Sequence, residues 1–181
     1  MAGTRERLRE MPRPVPEMPT AAVTAARRLN RAAGIIAASV LIDSAMEHYR
    51  GNFHNKAMWT PLVTSSLSIA VSIHGVSDKR HGAHPVRDLV YAAAGLVGAI
   101  GTGFHVYNVT KKVGGFSWQN IFYSAPLGAP AAMSLSGLMG FLAERVRDSE
   151  PEEEPELFGL PAGRVVAATT AVSLLGTAAE A

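Results

Sequence analysis

The feature that most restricts this chain is a series of apolar stretches, each close to the length of a bilayer crossing. They run roughly Ala32 to His48, Pro61 to Val76, Leu89 to Tyr107, Ile121 to Leu142 and Ala162 to Ala179. A hydrocarbon core about 30 Å thick takes about 17–25 helical residues to span. Inside lipid each helix satisfies its own backbone donors and acceptors, whereas irregular structure cannot. The sequence therefore predicts an all-α fold, a polytopic transmembrane helix bundle of about five spans whose first partner is the lipid bilayer.

Hydrophobic residues make up 48% and charged residues 18%, and the charges cluster between the apolar stretches. A water-soluble bundle, the alternative that the Ala, Gly, Ser and Thr content leaves open, would carry its charges at helical spacing along each element. Small residues also suit membrane helices, which gain contact by close backbone approach. Cysteine is absent, so disulfides and thiolate ligands are excluded.

Lys and Arg indicate the orientation. Thirteen of the 17 basic residues precede the first stretch, lie between the second and third or the fourth and fifth, or, as Arg164, sit in the opening turn of the fifth. Only Arg50, Lys56, Lys111 and Lys112 fall on the other side. The positive-inside rule then puts the N-terminus in the cytoplasm of a bacterial cytoplasmic (inner) membrane protein. The net charge of +2 is a topology signal, and with no aromatic-interleaved basic patch the sequence predicts no nucleic-acid partner.

Residues 1–30 read as a disordered basic cytoplasmic tail, with Thr20 to Arg31 able to form a short interfacial helix. Their opening lacks the apolar core and cleavage site of a secretory signal peptide. Residues 31–148 form a four-helix transmembrane unit of two hairpins, 149–161 an acidic, Pro-rich, solvated cytoplasmic linker, and 162–181 a fifth transmembrane helix. Placing His48 on His105 superposes Ala37, Leu41 and Ser44 on Ala94, Gly98 and Gly101, an i, i+4, i+7, i+11 stripe. The following helices open with Pro61-Leu62 and Pro126-Leu127, and Pro130 is expected to kink the fourth. The fifth stretch fits the same template, with Glu180 opposite Glu47, and predicts a third hairpin whose second helix is missing or supplied by another chain.

The densest chemistry lies at the outer end of the first helix and in its loop, where Asp43, Glu47, His48, Arg50 and His54 fall close together. Intramembrane carboxylates such as Asp43 are costly and usually face a bundle interior. The topology adds His105 and Glu180, so the predicted metal ligands are Glu47, His48, His54, His105 and Glu180. Imidazoles with carboxylates suit iron, copper or zinc. His48 and His105 at matched depth also suit the axial positions of haem b, with Gly95, Gly98, Gly101 and Gly103 leaving room for a flat ring.

Plainer readings exist for the same residues. Glu47 with Arg50 is also an ordinary i,i+3 pair, and His48, Tyr49, Trp59, Tyr107 and Trp118 suit an interfacial belt. Asp78, His81 and His84 read as a solvated turn, and Ser65, Ser68 and Ser72 as hydroxyls bonding to a neighbouring helix. His74 falls near the cytoplasmic end and suits a hydrogen bond within the bundle. No P-loop, GxSxG, dinucleotide or HExxH motif is present, and no catalytic residue is assigned.

The expected function is therefore a membrane subunit, rather than a free-standing enzyme, that binds a metal or haem near its outer face. It would serve electron transport or anchorage in a membrane oxidoreductase, with other membrane or periplasmic subunits as partners in an oligomer or hetero-complex. The alternatives are a cofactor-free structural subunit, or a small transporter using Asp43 and Glu47.

Overall fold

The computed structural model describes residues 20–150, 153–157 and 159–180. Among them the chain forms the α-helices α1 (Ala21–Arg50), α2 (Thr60–Ser77), α3 (Pro85–Lys111), α4 (Gly128–Asp148) and α5 (Ala162–Glu180). A 3₁₀ turn, Lys56–Trp59, leads into α2, and a π turn, Asn120–Ser124, precedes α4. Strands β1 (Glu156–Leu157) and β2 (Leu160–Pro161) pair antiparallel ahead of α5. The fold is all-α apart from that small pair.

Local chemistry explains the helix starts. The Thr20 hydroxyl accepts from Val23 N at 3.2 Å and caps α1. Pro61 and Pro85 occupy first turns, where a missing N–H goes unused. The same rule corrects the expected kink, because α4 starts at Gly128, not Ile121, and Pro130 falls in its first turn. At the start of the chain, residues 21–30 are not a disordered tail but the first turns of α1, burying Val23, Ala26 and Asn30. Residues 1–19 lie outside the described residues.

Helix α4 lies between α1 and α3, α2 packs along α1 and meets α3, and α5 meets chiefly the end of α4 and the strand pair. Glycine permits the close contacts. A Cβ on Gly137 would strike Gly95 N, one on Gly98 would strike Ser134 N, and one on Gly140 would enter the Tyr91 ring. On the α1–α2 side Gly34 faces the Ser72 Cβ and Gly75 faces the Asn30 carboxamide. Ser65, Ser68 and Ser72 are all buried. Large apolar side chains point outward instead, including Ile35 and Ile42 on α1 and Leu89, Leu96, Ile100 and Phe104 on α3.

Two helices, α1 and α3, are long and apolar enough to cross a bilayer, and Ala162–Leu175 is a shorter apolar segment. Five such spans are not found among the described residues: α2 is rich in hydroxyls, and α4 ends in Glu144, Arg145 and Arg147. The acidic linker is also less solvated than expected. Its strand pair turns at Gly159 (φ +73°) and seats Leu157 in an apolar cluster with Ala33, Tyr91, Met139, Leu142 and Ala162.

Candidate functional site

The ends of α1 and α3 bring His48 and His105 within electrostatic range of each other. The turn after α1 fixes His48: its Nδ1–H donates to the Met58 carbonyl at 2.6 Å, and its ring meets Phe53 edge-on. That bond selects one tautomer and leaves the Nε2 lone pair free, as in histidines that bind metal. On His105 the Nδ1 atom is buried and makes no well-formed hydrogen bond, while the main-chain carbonyls of Ala125 and Pro126 lie within weak hydrogen-bonding reach of the ring.

The other predicted ligands do not join them. Glu47 pairs with Arg50 at 2.5 Å on the surface. His54 is exposed and donates from Nδ1 to the Gly51 carbonyl at 2.9 Å. The Glu180 side chain lies outside the described residues. Asp43 sits on the exposed face of α1 rather than towards the interior. Among the described residues no group of three or more His, Asp or Glu is placed to hold a metal ion. The room expected beside Gly98 and Gly101 is taken by Ser134 and Pro130, because α4 closes against α3 there.

At the opposite end the structure assembles a site that the sequence reading missed. Arg87, Glu144 and Arg147 are fully buried. Arg87 donates to Glu144 from Nε at 2.8 Å and from Nη2 at 3.0 Å, a bidentate pair, and from Nη1 to Asp78 at 2.9 Å. The second Glu144 oxygen also accepts from the His84 main-chain N–H at 2.8 Å. Arg147 donates to the carbonyls of Gly75, Asp78 and Arg80, and Arg27 to that of Val76 at 2.6 Å. Two arginines from flanking helices thus satisfy the carbonyls left open where α2 ends, where a positive charge is also favoured by the helix dipole.

The network extends inward. Tyr91 donates to Asn30 Oδ1 at 2.6 Å and accepts from the Ser72 hydroxyl at 2.9 Å, while Asn30 Nδ2 donates to the Ala26 carbonyl at 3.0 Å. Asp78 and His84 are therefore not a purely solvated turn: the Asp78 side chain is only 7% exposed, and the His84 ring meets His74 edge-on at 5.1 Å. His81 does remain exposed, bonded to the Ser149 carbonyl. His74 Nδ1 accepts from Arg87 at 3.4 Å, the hydrogen bond expected of it.

Burial opposes the charge on Asp78, but hydrogen bonds from Arg80 and Arg87 outweigh it and hold the carboxyl well below the usual range. A depressed folded-state pKa stabilises the fold above the unfolded value of about 3.9, and that stabilisation is lost as pH falls through the folded value. Asp78→Asn should flatten the acid limb of the stability profile below pH about 4, read by unfolding in detergent at a series of pH values. An unchanged acid limb would refute the pairing.

A signal for this network was present. Gly137, Gly140, Glu144 and Arg147 share one face of α4, and Arg87, Tyr91, Ala94 and Gly98 share one face of α3. Charges continuing a stripe of small residues point inward, whereas the topology count treated Arg87 and Arg147 as loop charges. In the comparisons with known proteins, no family model, no curated protein and no solved structure matches this chain.

Proposed function

We propose that the chain is a multi-pass protein of a bacterial cytoplasmic membrane, with its N-terminus cytoplasmic, and that it acts as a subunit of a larger membrane oxidoreductase. In this reading the α1–α4 unit holds one transition-metal ion, iron, copper or zinc, between His48 and His105 near the outer face. Membrane placement draws support from the inverted polarity, with Arg87, Glu144 and Asn30 inside and Ile35, Ile42, Leu96 and Ile100 outside. Its orientation draws support from Arg27, Arg80, Arg87, Arg145 and Arg147 gathering at the end away from His48 and His105.

The observation that carries the metal reading is the buried His105 Nδ1, which makes no well-formed hydrogen bond, within electrostatic range of a His48 whose own Nδ1 is already engaged. A small ion fits this pair better than haem b, since Pro130 and Ser134 fill the space against Gly101 and Gly98. Two imidazoles leave coordination positions for water or a partner subunit. Electron transfer requires the redox metals of this group, iron or copper.

Elemental analysis of detergent-purified protein, before and after reloading, should find stoichiometric metal and no Soret band. His48→Ala and His105→Ala should each abolish the metal while the helical circular dichroism persists. Wild-type protein that refuses every metal would overturn the reading and leave the second one, a cofactor-free structural subunit. That alternative is favoured by the well-satisfied core of the Arg87 network and the backbone-close helix contacts. Transport through Asp43 and Glu47 draws no support from their positions, one on the exposed face of α1 and the other tied to Arg50.

A further inference from the structure

Beside the histidine pair, the two loops that join α1 to α2 and α3 to α4 carry a concentration of exposed aromatic rings. Trp59 is 53% exposed and stacks on Phe53 at 4.4 Å, and Trp118 is 52% exposed and packs on Phe122 at 4.4 Å. Tyr49 and Tyr107 are exposed at the same end, where His48 and His105 come within electrostatic range of each other. The Phe53–Trp59 stack is built in deliberately: it follows consecutive positive φ values at Asn52 (56°) and Phe53 (45°), the latter uncommon for a bulky residue.

The charge on these two loops has one sign, the acids nearest them being Asp43 and Glu47 on α1. Lys56, Lys111 and Lys112 are exposed, and Lys111 Nζ lies 4.9 Å from the centre of the Tyr107 ring. Between residues 48 and 77, and again between 89 and 143, the sequence contains no acidic residue. Glu47, the nearest acid, is neutralised by Arg50. Amphipathic rings at the junction of apolar helices and water favour the headgroup layer, and lysines among them favour anionic lipid.

We propose that these two loops form a single collar, centred on Trp59 and Trp118, that binds the anionic phospholipid headgroup layer. The proposal rests on the membrane reading above and deepens it, because it commits both loop tips to the lipid interface rather than to water or to a protein partner.

Trp59 and Trp118 are the two tryptophans of the chain, so each is isolated by one substitution. Full-length Trp118→Phe and Trp59→Phe proteins would be reconstituted in phosphatidylcholine vesicles with and without phosphatidylglycerol. Fluorescence would be quenched by nitroxides on the headgroup or at mid-chain. Both tryptophans should be quenched most by the headgroup label, and more strongly when phosphatidylglycerol is present. The triple variant Lys56→Gln, Lys111→Gln, Lys112→Gln should lose the phosphatidylglycerol gain while keeping the headgroup preference. Stronger mid-chain quenching, free quenching by aqueous acrylamide, or indifference to phosphatidylglycerol in a chain that floats with vesicles would overturn the collar alone. Failure to float would overturn the membrane reading itself.

Discussion

Replacing Glu144 by Ala should destabilise the helical unit by about 3–5 kcal/mol, the scale for breaking a buried ion pair from one side. Glu144 is fully buried and takes both hydrogen bonds of a bidentate pair with Arg87. Its removal leaves Arg87 with Asp78 as its remaining acidic partner and frees the His84 N–H. The cost comes chiefly from the stranded charge rather than from the lost attraction. Arg87→Met combined with Glu144→Leu should therefore recover part of the stability, since neither residue then buries a charge and Asp78 keeps Arg80 as its partner. Unfolding of the parent, Arg87→Met, Glu144→Leu and the double variant in detergent, followed by circular dichroism, gives the four corners of the cycle. A double variant no more stable than Glu144→Ala would show that the pair does more than neutralise itself.

Gly137→Val should separate α3 from α4, with a loss of about 1–3 kcal/mol or more. The added carbons would meet Gly95 N and the Tyr91 carbonyl, which are backbone atoms with no rotamer to escape into. Displacing α3 would also pull Tyr91 from Asn30 and Ser72. Gly103→Ala is the matched control, because nothing lies within 4 Å of a Cβ there, and it should stay within about 0.5 kcal/mol of the parent. Equal stability of the two variants would refute the close α3–α4 packing.

The two ends of the bundle differed in how readily they could be read. The stripe of Ala37, Leu41 and Ser44 below His48 and its counterpart below His105 follow helical spacing, and Ala37, Ser44, Ala94 and Gly98 are buried as that periodicity implies. Spacing along single helices could not tell which face of α1 holds Asp43, nor that Glu47 turns to Arg50. The Arg87 network was harder still. Asp78, Arg87, Glu144 and Arg147 come from the turn after α2, from α3 and from α4, and each looks like a loop charge when counted alone.

Period, composition and proline placement are local properties, and from the sequence by itself they determined the helical class and put His48 and His105 towards the C-terminal ends of their helices. Contacts between distant segments decided the rest. The tertiary structure set α4 against both α1 and α3, closed the space beside Gly98 and Gly101, and docked Leu157 of the linker on the core. It also turned Arg87, Glu144 and Arg147 into a buried cluster. The physical reason is that a charged side chain at a helix end can meet water as readily as a partner, and only the approach of another helix removes the water.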